Sequence, residues 1–423
     1  MKTISFQRVL WAVVALSVSW CWAMCSDTVA QEELLTTAIV ADDPGLPNGY
    51  VMAAYLDCGT QERGSGESGL AIKQTAGTPY AFPQVGGAIG TAAVDEQQVV
   101  FEVTGLKTDR EYVLGFTWWD ADDKGRVQSV RFGTEQAEEW VTVLPAGAPA
   151  AFYKDESTWA RVLLPVTMPF RKDGWLRVAF VNEEGPDAVV SELWLLEQRT
   201  AVQKRVLVVT GEDYGGHLWR ETAPELARIL REDARLEVAI NEAPVMLGSP
   251  LLDHYDAVLI HFKNYAERMP LGAAIGAGLE RYVAAGKGLV ISHFGCGAFQ
   301  EWDGYVQVVG RVWNPDMRPH DPRGEFDVTI TDPAHPITRG MTDFRADDEL
   351  YTCLDGTPPI HVLCQAVSKV DNLPYAIGFT TGPPESRIFH CTLGHDVQAL
   401  QPASVRELFR RAATWAAGLP PVP

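Results

Sequence analysis

The chain has 423 residues, 46% hydrophobic and 21% charged, enough for two or three folded domains and outside the disordered class. Asp and Glu number 55 against 35 Lys and Arg, and the formal charge of −20 excludes nucleic acid, whose phosphates would be repelled, and opposes adsorption to anionic lipid. Neutral or cationic ligands remain compatible with it.

At the N-terminus, Lys2 and Arg8 precede an uncharged run from Val9 to Cys25, and Thr28-Val29-Ala30 offers small residues before Gln31. Residues 1–30 therefore read as a signal peptide, giving a periplasmic or secreted protein, with an uncleaved anchor as the other reading of so long an apolar run. No later segment approaches membrane-spanning length. Removal of Cys21 and Cys25 leaves Cys58, Cys296, Cys353, Cys364 and Cys391, an odd set at irregular spacing that makes no disulfide framework. Buried free thiols are favoured over a single bridge such as Cys353 to Cys364.

Residues 48–200 carry short alternating segments broken by Gly, Pro, Asp and Asn. Val99 to Val103, Tyr112 to Phe116 and Trp175 to Val181 read as strands with no helix between them. This predicts an all-β sandwich of jelly-roll or immunoglobulin-like kind. Six tryptophans lie between Trp118 and Trp194, with Tyr112 and Tyr153 among them. For any one of them a core position is favoured over a sugar-stacking platform. Trp118 and Trp119 are the candidates for exposure, because adjacent strand residues point to opposite faces and both cannot enter one core. The following Asp120-Ala121-Asp122-Asp123 suggests a solvated turn ahead of a calcium loop. Through FEVTGL and the closing VAFVNEEGPDAVVSELWLLE, this half resembles the galactose-binding-like carbohydrate-binding sandwiches in architecture.

Residues 204–418 change pattern. Arg205 to Thr210 is a continuous apolar strand, and TAPELARILRE reads as a helix with Pro224 in its first turn. Leu236 to Ile240, Ala257 to Phe262 and Gly288 to Phe294 follow as strands, with a helix around Leu271 to Ala285 and a closing helix in SVRELFRRAATWAAG. Continuous apolar strands alternating with helices predict an α/β doubly wound parallel sheet covered on both sides. The linker Glu197 to Lys204 is short enough that the two domains should touch.

All nine histidines lie beyond residue 216. His217, His261, His293 and His395 each follow a strand, and ligands of such sheets bind outside the carboxyl ends of the strands, so these four imidazoles aim toward one rim. Three of them brought together would make a site for zinc or a similar divalent ion, with Asp or Glu completing it; a satisfied structural histidine is the ordinary alternative for each. Gly394-His395-Asp396 sets a carboxylate beside an imidazole, which suits His395 as a base. Asp347 to Glu349 reads equally as a site or as a solvated helix start. In GKGLVISHFGCGAF the turn delivers His293 where an elbow would hold a nucleophile, and Cys296 is expected to turn away.

In order along the chain, VLVVTG with His217 to Thr222, GKGLVISHFGCGAF with Trp302 and Tyr305, Val309-Gly310, His320, DPAHPITRGM, DELY at Asp348 to Tyr351, LGHD at Leu393 to Asp396 and a terminal WAAG follow one another. The C-terminal half thereby resembles the trehalose-utilization (ThuA-like) family. That resemblance implies a class I glutamine amidotransferase-like fold and a sugar-related role, with oxidised (keto) glycosides as substrates. It supports a rim site of His217, His293, Glu349 and His395, extended by His320 and Tyr351. His293 stands near the position of the amidotransferase cysteine, so ammonia release is not implied. Cys296 and the fused sandwich depart from the family pattern.

The expectation is an exported carbohydrate-active enzyme. His293, His395, Glu349 and Asp396 are its catalytic candidates; His217, Trp219, His320 and Tyr351 are its substrate-binding ones; and His217, His293 and His395 are the ligands if a metal is used. The other expectation is a noncatalytic sugar-binding or envelope scaffold protein.

Overall fold

The computed structural model describes residues 43, 45–65, 69–83, 88–134, 139–148, 150–151, 159–212, 215–264, 273–383 and 385–422. The expected signal peptide and Tyr153 lie outside the described residues. Among those residues no helix is long and apolar enough to cross a membrane, and all five cysteines are buried and free.

The N-terminal half is built of strands, antiparallel in almost every pairing. One sheet runs Tyr112–Asp120, Glu192–Gln198, Tyr50–Asp57, Arg63–Ser65, with Ala160–Val166 also on Tyr112–Asp120; a second runs Ala71–Ala76, Gln98–Thr104, Trp175–Glu184, Val127–Gly133, Val141–Gly147. Their facing residues share a core in which the Phe116 ring meets Phe180 edge-on at 4.8 Å. A smaller sheet of Thr78–Ala81, Thr91–Asp95 and Ala188–Val190 covers part of the first.

That third sheet corrects the expectation for Trp118 and Trp119, each only 1% exposed. Their side chains do point to opposite faces, but both faces are covered. Trp118 enters the main core, and Trp119 packs with Phe82, Ala92, Ala121 and Val189 in a second cluster. Of the Asp120 to Asp123 turn, Asp123 is solvated as expected, whereas Asp120 is buried and Asp122 half-buried. The buried Arg126 guanidinium pairs with Asp120, Asp122 and, at 2.7 Å, Asp187, which holds the Asp122 carboxyl at about 2 against the opposing effect of its burial.

The C-terminal half is one nine-stranded sheet in the order Leu236–Asn241, Lys204–Val209, Ala257–Ile260, Gly288–Ser292, Ile388–Cys391, Pro374–Thr381, His361–Val367, Gly324–Ile330, Phe344–Asp348. The first five are parallel. The remaining four join antiparallel, so the sheet is mixed where a parallel one was expected. In the parallel part successive residues serve two cores. Val206 and Val208 pack with helices Trp219–Leu230 and Ala403–Ala416, whereas Leu207 and Val209 join the core containing helix Ala273–Ala284. This double burial explains the unbroken apolar strands. Helix Trp219–Leu230 begins earlier than expected, leaving Pro224 in its interior.

The two halves share the larger core, which runs from Phe116 and Leu195 to Met246, Leu252 and Ile260. The N-terminal half also closes the sheet edge. Asn48 donates to the Leu236 carbonyl at 3.0 Å and accepts from the Val238 N–H at 2.8 Å, satisfying backbone groups that an exposed edge strand would leave open.

Candidate functional site

The parallel strands end on one rim, and three imidazoles meet there. His293 is the first residue after Gly288–Ser292 and opens the 3-10 turn His293–Gly297. His217 precedes helix Trp219–Leu230, and His395 follows Ile388–Cys391 across Gly394. The ring centroids of His217, His293 and His395 are 5.1 to 5.4 Å apart, each pair nearly edge-on. Phe294 stacks on His217 at 4.3 Å and fixes that ring.

The fourth member is Glu349, which arrives from the antiparallel end of the sheet. It directly follows strand Phe344–Asp348, where a helix start had been an open reading. Asp348 accounts for its position: this buried carboxylate accepts the Gly394 N–H at 2.7 Å and the Glu349 N–H at 2.8 Å, tying the two loops together. Burial raises the Asp348 carboxyl to about 7, in spite of those hydrogen bonds. Asp347 points to solvent. One ligand-type atom from each of His217, His293, Glu349 and His395 lies within 4.8 Å of the others.

Each side chain is oriented. The His293 Nδ1–H donates to the Thr392 carbonyl at 2.6 Å, which leaves Nε2 with the free lone pair, 2.8 Å from the Tyr351 hydroxyl. Burial, then His217, pushes His293 well below the ordinary imidazole range. His395 goes the other way, raised by Glu349, whose Oε2 is 3.3 Å from Nδ1. That contact has ion-pair distance without hydrogen-bond geometry, so the buried Nδ1 has no hydrogen-bond partner among the described residues. Burial would raise the Glu349 carboxyl, but His395, His320 and His217 together leave it below its usual value. His320 Nε2 lies 3.5 Å from Glu349 Oε1, and His320 and Tyr351 pair through their backbones.

Four expectations need correction. His261 is not a member of the cluster: its Nδ1 contacts Ser292 Oγ at 2.6 Å and its Nε2 contacts Thr222 Oγ1 at 2.7 Å, so both nitrogens are satisfied behind the rim, and burial lowers it to about 3. Asp396 is not the partner of His395; it pairs with Arg323 at 2.9 Å and accepts the Ala399 N–H. Trp219 is stacked under Arg220, 4.2 Å from its ring centroid, and does not line the cleft. Cys296 does line it, beside Tyr351, because the chain tightens into a 3-10 turn there. The cleft, about 220 Å³, also exposes Lys263 and Trp313, which the sequence reading missed. Lys263 follows a strand end by the same logic that singled out His261 and was legible; Trp313 sits in a short ribbon that no periodicity marks.

The donor set of three imidazoles and one carboxylate suits zinc or another divalent ion of intermediate softness. A tetrahedral ion with bonds of about 2.1 Å sets its donors roughly 3.4 Å apart, a modest contraction of the cluster. The Thr392 carbonyl supplies the outer-shell hydrogen bond that ligating histidines need. The residues therefore fit such an ion.

A profile of the family ThuA, described as trehalose utilisation, matches residues 205–416, half of the chain. The chain belongs to the ThuA family. His217, His293, Glu349, His395, His320 and Tyr351 all fall inside the ThuA span. Among solved structures, a protein from Parabacteroides merdae described as ThuA-like is 22% identical, with 52% of this chain and 92% of that one covered and a TM-score of 0.45. A second ThuA-like protein, from Bacteroides uniformis, is 16% identical over 51% of this chain and 92% of its own, with a TM-score of 0.42. A glutamine amidotransferase from Thermotoga maritima is 10% identical over 51% and 99%, with a TM-score of 0.36. No curated protein matches the chain.

Proposed function

We propose that the histidine rim is the catalytic centre of an exported carbohydrate-active enzyme that cleaves or isomerises a glycoside or keto-sugar, with a divalent ion such as zinc held by His217, His293, Glu349 and His395. The observation that carries this reading is the meeting of four donors from four separate segments of the chain within 4.8 Å of one another. Trehalose utilisation as the description of the matching family supports carbohydrate as the substrate class. On this reading the N-terminal half is a carbohydrate-binding-like accessory that also completes the core.

Held by His217, His293, Glu349 and His395, such an ion would supply Lewis acidity for a carbonyl oxygen or for water. The chain's own residues do the rest. Thr392 holds the His293 ring, Asp348 holds the loop of His395, and Phe294 holds His217. His320 and Tyr351 stand on the cleft side of the cluster, where an imidazole and a phenol can orient sugar hydroxyls. The Tyr351 hydroxyl donates to the His293 Nε2 lone pair that an ion would need, so it would have to turn from that nitrogen toward the cleft if His293 served as a ligand.

Elemental analysis of the purified chain and turnover on disaccharides and their keto forms test the reading together. His293→Ala is expected to lose both the metal and turnover, with circular dichroism unchanged. Full activity in that variant would sink the assignment, and sugar binding with neither metal nor product would favour a noncatalytic binding protein.

A further inference from the structure

We propose that the N-terminal half builds part of the histidine site through Arg220: Trp159 grips the Arg220 guanidinium and thereby sets where the chain presents His217. This rests on the metal reading above and adds to it a positioning residue, Trp159, from outside the ThuA span.

The four donors are anchored differently. His293 is the first residue after its strand, and Asp348 ties the loops of Glu349 and His395 together. His217 lies at the far end of the loop that leaves Lys204–Val209, immediately before helix Trp219–Leu230. Phe294 fixes the plane of its ring, while its carbonyl accepts the Trp219 N–H at 2.9 Å, so its backbone follows the first turn of that helix. Arg220 belongs to the same turn, and its side chain reaches across to the N-terminal half. The guanidinium donates to the Trp159 carbonyl, faces the Trp159 ring at 5.6 Å and the Trp219 ring at 4.2 Å, and lies 3.7 Å from the Glu242 carboxylate. Two indoles, a carbonyl and a carboxylate thus converge on one planar cation.

The other side of this grip is itself fixed. Trp159 directly precedes strand Ala160–Val166, and the Arg161 N–H donates to the Glu242 carboxylate at 2.8 Å while the Arg161 carbonyl accepts the Glu242 N–H at 2.9 Å. Beside them the Asn241 amide donates to the Leu163 carbonyl at 3.0 Å. At the start of the loop, Gly211 has φ at 120°, and a Cβ there would come 2.1 Å from the Glu242 carbonyl oxygen. The segment that carries His217 is therefore held against Glu242 at both ends, and Glu242 is held by the N-terminal half. Neither Trp159 nor Arg220 lines the cleft, so both act through His217.

Calorimetric titration of the full chain with zinc tests the proposal, with melting of the zinc-free chain measured beside it, for Arg220→Met, Arg220→Lys, Trp159→Ala and Trp159→Phe. Arg220→Met and Trp159→Ala are each expected to weaken zinc by about tenfold or more, the usual effect of losing a group behind a metal ligand, with melting unchanged. Trp159→Phe keeps an aromatic face and the backbone carbonyl and should recover most of the affinity. Arg220→Lys should not, because an ammonium lacks the fork that reaches carbonyl and carboxylate together. Native zinc affinity in Arg220→Met and Trp159→Ala, or a weakening confined to variants whose zinc-free melting falls, overturns the positioning role and leaves the metal reading standing. A native chain that binds neither zinc nor manganese overturns both.

Discussion

His293 occupies a backbone conformation that few side chains accept, with φ at 39°. A non-glycine residue in such a region costs on the order of 1–3 kcal/mol, and it persists only where the surroundings hold it. Here they are the hydrogen bond to Thr392, the Tyr351 hydroxyl and the tight turn behind it. That turn requires glycine at 295, since a Cβ there would come 2.6 Å from the Ile260 carbonyl oxygen. Tyr351 offers the sharpest test at this scale. Removal of its hydroxyl in Tyr351→Phe takes away the competitor for the His293 lone pair. We expect zinc affinity to rise several-fold while turnover falls at least tenfold; a parallel loss of zinc would show that Tyr351 supports the site and does not compete for it.

Individual elements gain their meaning from what covers them. Strand Tyr112–Asp120 is buried along its whole length, and its end feeds the Arg126 cluster. Neighbouring carboxylates suggest calcium, but the buried Arg126 guanidinium bonds to Asp120, Asp122 and Asp187, and Lys124 adds a second cation at Asp122. Arg126→Met would leave Asp120 and Asp187 without their cation, with only the exposed Lys124 still paired to Asp122 at 2.8 Å. A loss of roughly 3–5 kcal/mol in chemical denaturation is expected, as for other buried pairs broken on one side. Calcium should leave the melting temperature of the native chain unchanged, and a calcium-dependent rise would restore the loop reading. The strand periods in both halves were legible because apolar repetition is local. The antiparallel strand Phe344–Asp348 was not, because alternating polar residues beside a run of carboxylates look alike in a strand and at a helix start.

For the whole molecule, the shared core couples the two halves, and Glu237 sits at that junction on the edge strand. Its side chain is 3% exposed, 3.7 Å from Arg205, and Gln198 donates to it at 2.9 Å. Burial dominates these partners and raises the carboxyl from 4.5 to about 7. The folded state thus binds the proton more tightly than the unfolded one, so stability falls as pH rises from about 4.5 to about 7 and does not return above it. His254, half-buried and lowered to about 4 by desolvation, acts in the opposite sense, losing stability as pH falls from 6.5. Glu237→Gln abolishes only the first contribution. The variant should gain roughly 1–3 kcal/mol over the native chain at pH 8 and little at pH 4.5. An equal difference at both pH values would refute the assignment.

The sequence by itself determined the division into a strand-built half and an α/β half, the location of His217, His293 and His395 at strand ends, and the ThuA resemblance, because hydrophobic period and motif order are properties of the chain read locally. The same motif order pointed to His217, His293, Glu349 and His395; only the tertiary structure brought those four donors within 4.8 Å of one another, left Asp396 with Arg323 outside the group, set His261 satisfied behind it and gave Trp119 a second core of its own. Those outcomes depend on strand order and on which layers cover each face. Both are fixed by contacts between residues far apart in the chain, so no local pattern carries them.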